Sequence, residues 1–156
     1  MVGFGYDIHR LGKGESLILG GITIESELGT IAHSDGDVLI HALIDSILGA
    51  AGLGDIGEFF PDNDMAYRGI SSTILLGRTL DLIRDKYRLI NIDAMIILEK
   101  PKLKEYKNRI RENLSILLGI PQERVNIKAG TNEKLDALGR NEAIAVNCVC
   151  MIEEIK

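Results

Sequence analysis

Only three histidines occur in this 156-residue chain, and each has an aspartate or a serine close by in sequence. Asp7 and His9 stand two apart in "GYDIHR". On a strand, residues so spaced point to one side. A carboxylate oxygen and an imidazole nitrogen could then converge on one divalent ion such as zinc. His41 lies in "AHSDGDVLIHALIDSILG", four residues from Asp37 and four from Asp45. That spacing draws one polar line along a helix. The flanking residues Val38, Leu39, Ile40, Ala42, Leu43, Ile44, Ile47 and Leu48 are all apolar. Such a line can be a solvent-facing polar stripe, but one this narrow on an otherwise apolar helix suits a cleft better than bulk water. With His41 as third ligand, Asp7, His9 and His41 would leave a tetrahedral zinc one open position, as catalytic sites do. Asp37 and Asp45 become candidates to support the site or touch substrate.

"KAGTNEKLDALGR" runs from Lys128 to Arg140. A strand ends there, and Thr131, Asn132 and Glu133 open a short helix, either an ordinary capped helix start or one whose backbone N–H groups bind phosphate. Glu133 would repel that anion unless a magnesium ion bridged the two. His33 and Ser34 do not read as a nucleophile with its base, because no elbow motif surrounds Ser34. "GDIGEFFPDND" reads as a mobile acidic flap with buried Phe anchors. It is no calcium loop, since Tyr67 stands where such a loop needs glycine. Lys100, Lys102, Lys104 and Lys107 cluster enough to help hold one small anion. The formal net charge of −5 argues against a nucleic-acid partner. Cys148 and Cys150 share a strand face and read as small buried residues.

Several elements must position these groups. Strands are expected at Val2–His9, Leu89–Leu98, Val125–Lys128 and Ala143–Ile152, with a hairpin over Ser16–Ile24 around Gly20-Gly21. Helices are expected from about Asp37 to Ala51, capped by Asp35 or Ser34, and over Ser71–Lys86 and Lys104–Leu118. A short helical turn fits Asn132–Leu138. The fold class is α/β (α+β): a four-stranded mixed sheet with helices on one face, plus the small hairpin. Residues 1–156 are expected to form one domain. The bare sheet face needs a cover, so an oligomer is expected. No apolar run could cross a bilayer and no signal peptide is evident, which points to a cytoplasmic protein without a membrane partner.

Taken in order, "GYDIHR", "AHSDGDVLIHALIDSILGAAGLGDIGEFFPD", "EKPKL" and "KAGTNEKL" with Gly139-Arg140 span nearly the whole chain. Together they resemble the 2-C-methyl-D-erythritol 2,4-cyclodiphosphate synthase family. The resemblance implies an isoprenoid-pathway lyase. It would take 4-diphosphocytidyl-2-C-methyl-D-erythritol 2-phosphate, form a cyclic diphosphate and release CMP. It also implies a homotrimer packed around a central axis, with active sites between subunits. Asp7, His9 and His41 match the family's zinc ligands, and Glu133 its magnesium or manganese ligand. His33 and Thr131 match residues that steady the transition state. Substrate contacts are implied for Asp7, His9, His33, Ser34, Asp55, Ile56, Gly57, Phe60, Pro61, Asp62, Asn63 and Asp64. Lys100, Pro101, Lys102 and Leu103 match the cytidine loop. Gly130, Thr131, Asn132, Glu133 and Arg140 match the diphosphate side. The chain departs from the family at Gly130 and Asn132, where threonines are common, and at Asp136-Ala137, where Gly-Phe is common. A non-catalytic metal or cytidine-nucleotide-binding homologue is the competing possibility.

Overall fold

Two glycines decide where the first long helix can lie. In a computed structural model describing residues 1–61 and 63–156, strand β1 (Val2–Lys13) places Gly3 and Gly5 beneath helix α1 (Val38–Ala51). A Cβ at Gly3 would sit 1.8 Å from the Ser46 carbonyl oxygen, and one at Gly5 would sit 1.9 Å from that of Ala42. Only bare backbone permits this approach. Asp7 and His9 continue the same strand face, so the helix that crosses Gly5 delivers His41 to them.

The remaining strands are β2 (Leu17–Leu19), β3 (Ile22–Ile24), β4 (Leu28–Ile31), β5 (Tyr87–Ile97), β6 (Val125–Gly130) and β7 (Ala143–Glu154). The main sheet runs β4-β1-β7-β5-β6, and β2 and β3 form a separate hairpin. All pairings are antiparallel except β5 with β6. The sheet therefore has five strands, not the expected four. The added strand, Leu-Gly-Thr-Ile, is too short and too poor in alternation to stand out in sequence. It pairs with the end of β1, which runs past His9 to Lys13. The hairpin turns at Gly20 and Gly21, with φ of 59° and 76°, values that suit glycine.

Helices α2 (Ile56–Phe59), α3 (Ser72–Ile83), α4 (Lys107–Leu118) and α5 (Asp136–Gly139) complete the chain, with 3₁₀ turns at Met65–Tyr67 and Gln122–Arg124. Helix α1 lies across β1 and β7 and buries ten of its residues. Its cap is Asp37, not the expected Asp35 or Ser34. Asp37 is fully buried, and its carboxylate accepts the Ile40, Gly20 and Gly21 N–H groups. It therefore joins helix start to hairpin turn and does not support the site as expected. The α5 turn is shorter than expected, beginning at Asp136 after Glu133 and Lys134, which carry positive φ. Cys148 and Cys150 are buried among core residues, as read from sequence. The opposite sheet face keeps Val2, Phe4, Tyr6, Ile8, Val149 and Met151 exposed. No helix is long and apolar enough to cross a membrane among the described residues.

Candidate active site

Asp7, His9 and His41 each offer one ligand atom, and these atoms lie within 4.8 Å of one another. Asp7 Oδ2 is 3.2 Å from His9 Nδ1 and 3.1 Å from His41 Nδ1. The two imidazoles tilt at 49° with centroids 5.2 Å apart. His9 Nδ1 is buried and finds no aligned hydrogen-bond partner. Lone pairs of two nitrogens and a carboxylate oxygen facing one space repel unless protons or a cation lie among them. The donor set, two imidazoles and a carboxylate, suits a zinc-like ion. These residues form a metal-binding group.

The electrostatics follow. Burial pushes the Asp7 carboxyl up, but the neighbouring His41 and His9 imidazoles outweigh it and hold Asp7 at about 2. Burial pulls the His9 imidazole down, yet the Asp7 carboxylate leaves it above its ordinary value. Asp45 is raised chiefly by burial.

This group lies on the wall of a cavity of about 660 Å³. His33, Ser34, Ile56, Gly57, Phe60, Pro61 and Asn63 line the same cavity, which gathers many of the sequence-identified residues. Asp45, one turn beyond His41, accepts the Ile56 N–H at 2.8 Å and so ties the flap to α1. The three residues of the polar line thus part company: Asp37 faces the hairpin, His41 the metal group and Asp45 the flap. Phe60 is buried and meets Tyr67 edge-on, ring centroids 5.6 Å apart, and so anchors the flap, whereas Phe59, also expected to be buried, is only half-buried. Asp55 caps α2 by accepting the Glu58 N–H, and Asp64 caps the next 3₁₀ turn through Ala66 N–H. Asp62 lies outside the described residues. Arg10, the last residue of "GYDIHR", also lines the cavity with Tyr67, Ile70 and Leu75, none of which was read as a site residue. The helical pattern of Ser71–Lys86 could have flagged Leu75.

A second cavity of about 160 Å³ gathers Pro101, Lys102, Leu103, Gly130 and Thr131. Lys100 lies off it, with its N–H donated to Asn141. Asn132 donates its N–H to Glu99 Oε1, and exposed Glu133 donates its own to Thr131 Oγ1. Arg140 is exposed and doubly hydrogen-bonded to Glu142. Within one chain, Glu133 and Thr131 do not join the group of Asp7, His9 and His41.

Fold and site define a mixed α/β protein with a metal-binding group on a cavity wall, built by one strand and one helix. The family described as YgbB matches residues 1–153. A 2-C-methyl-D-erythritol 2,4-cyclodiphosphate synthase of Brachyspira hyodysenteriae is 54% identical, covering 99% of both chains. The bifunctional IspDF of Campylobacter jejuni is 43% identical with TM-score 0.95; the match covers 99% of this chain and 42% of that one. A solved synthase of the same name in its CDP-bound form is 37% identical with TM-score 0.90, covering 98% of this chain and 100% of that one. The chain belongs to the YgbB family of 2-C-methyl-D-erythritol 2,4-cyclodiphosphate synthases.

Proposed function

We propose that the chain converts 4-diphosphocytidyl-2-C-methyl-D-erythritol 2-phosphate to 2-C-methyl-D-erythritol 2,4-cyclodiphosphate and CMP. The observation that carries this is the convergence of Asp7, His9 and His41 on the wall of the larger cavity. An oxygen of the 2-phosphate attacks the β-phosphorus. The bond from that phosphorus to the bridging oxygen breaks, and its electrons leave with CMP. The nucleophile is already anionic, so no activated serine or cysteine is needed. Zinc held by Asp7, His9 and His41, with magnesium or manganese held by Glu133, would neutralise the phosphates and stabilise developing charge.

The chain's own residues do the positioning. His33 has a buried Nε2 with no partner, free to donate to a phosphate oxygen. Ser34 lies beside it on the same cavity wall. Asp55, Ile56 and Gly57 form the flap edge that Asp45 fastens to α1, where they would contact the erythritol. Phe60, Pro61 and Asn63 continue that wall. Pro101, Lys102 and Leu103, beside Thr131 in the smaller cavity, offer a slot for cytidine. Arg140 would lie on the diphosphate side.

Because the two cavities are separate in one chain, we propose a homotrimer in which each site joins two subunits. The exposed apolar sheet face supports it: Phe4 pairs with Val149, and Val2 with Met151, across β1 and β7. Covering such a face gains about 25 cal/mol for each Å² buried. The test incubates purified protein with substrate, zinc and magnesium and follows CMP. Release of CMP is expected. CDP binding without any CMP release would favour the non-catalytic homologue.

A further inference from the structure

Ser72 is fully buried, and its hydroxyl has no capping work to do. The cap position of α3 is Ser71, which makes no side-chain cap bond. The Ser72 N–H is taken instead by Asp35 Oδ2 at 3.0 Å, from a loop 37 residues earlier. The Ser72 hydroxyl stands between two groups. Asp35 Oδ1 accepts its proton, and His41 Nε2 lies 2.9 Å from its oxygen.

A hydroxyl has one proton. Asp35 also accepts the Asp37 N–H at 3.2 Å, so its carboxylate faces donors on every side described. With the Ser72 proton given to Asp35, the hydroxyl presents only lone pairs to His41. That contact is satisfied when Nε2 donates. Ser34 Oγ, 3.2 Å from the same nitrogen, accepts the Gly36 N–H and offers Nε2 a second oxygen. In a neutral imidazole one nitrogen carries the proton and the other the lone pair. Fixing the proton on Nε2 leaves the Nδ1 lone pair toward Asp7 and His9.

We propose that Ser72, oriented by Asp35, is a positioning residue: it holds the His41 ring with its proton on Nε2, so that Nδ1 is the ligand atom. This rests on Asp7, His9 and His41 binding zinc. The arrangement also couples the N-terminus of α3 to the metal group. Asp7 alone would favour a proton on Nδ1, the nitrogen it faces, so an opposing acceptor at Nε2 is needed to free that atom for metal.

The test uses zinc-loaded, ¹⁵N-histidine-labelled protein. In the wild type, the His41 Nε2–H resonance should be present and protected from exchange with water. In Ser72→Ala that protection should be lost and the zinc dissociation constant should rise about 10–100-fold, the usual range for removing a residue that orients a metal ligand. Ser72→Thr, which keeps the hydroxyl, should restore both. A Ser72→Ala protein with a protected Nε2–H and zinc affinity within about twofold of wild type would overturn the proposal. So would a wild-type Nε2–H that exchanges as fast as an exposed imidazole, whether or not the variant folds. His41→Ala separates the two levels. If it binds zinc as tightly as wild type, His41 is no ligand and the metal assignment falls together with the proposal.

Discussion

At the scale of single residues, His41 carries most of the account. It links the strand that holds Asp7 and His9 to the helix that seats the site. His41→Ala should fold, because the helix is held by its ten other buried residues. Its zinc affinity should fall by more than the roughly 10–100-fold typical of losing a supporting partner, as read by competition with a chelating dye. Proton competition should also be visible. Zinc takes neutral imidazole, and Asp7 holds His9 above its ordinary value. Zinc affinity should therefore weaken as pH falls, beginning above about 6.5. An affinity that stays flat from neutral to acid pH would contradict this ligand set. Strand and helix periodicities made Asp7, His9 and His41 candidates in sequence, and the family resemblance of the surrounding motifs singled them out as a ligand set. Ser72 and Asp35 were not legible there, since their pairing spans 37 residues and depends on where α3 begins.

At the scale of elements, close packing and capping set the site. A methyl at Gly5 cannot fit beneath the Ala42 carbonyl, so Gly5→Ala must push α1 from β1. Overpacking costs about 1–3 kcal/mol or more, and His41 should move from Asp7 with it. The check is urea unfolding together with zinc titration, both weakened. Asp37 gives a pH signature. Burial pushes its carboxyl up to about 6 against three backbone N–H donors. The folded chain then keeps a proton that the unfolded chain releases near 3.9. This contribution to stability is fully present below about 3.9 and is lost as pH rises through about 6. Asp37→Asn should remove that part of the pH dependence while destabilising the fold, because its amide cannot accept all three bonds. Equal pH profiles for the two proteins would contradict it. Helix α1 itself was plain in its apolar run, but its cap was not. Asp35, Ser34 and Asp37 all suit a cap by type, and only the hairpin's arrival at Gly20 and Gly21 selects Asp37. Strand β4 was hidden for a similar reason: it exists through pairing with β1, not through a pattern of its own.

At the scale of the whole molecule, one sheet face is left uncovered. One chain holds the metal group in one cavity and Thr131 in another, and leaves an apolar sheet face exposed. The need for a cover was legible from a sheet with helices on one face. Which residues would meet across a boundary in the proposed trimer was not, since sequence order says nothing of neighbouring copies. If sites join two subunits, mixing His41→Ala and Glu133→Gln proteins should rebuild some intact sites, on the order of one in four with random assembly. Mixtures no more active than either variant alone would place each site within one chain. Phe4→Asp should shift sedimentation from trimer toward monomer and reduce turnover in parallel.

The most direct measurement of the central claim is ³¹P NMR of the substrate incubated with zinc- and magnesium-loaded protein. The 2-phosphate and diphosphate signals should give way to those of a cyclic diphosphate and CMP, and His41→Ala should leave them unchanged. A linear, water-opened product, or full conversion by zinc-free His41→Ala, would contradict that claim.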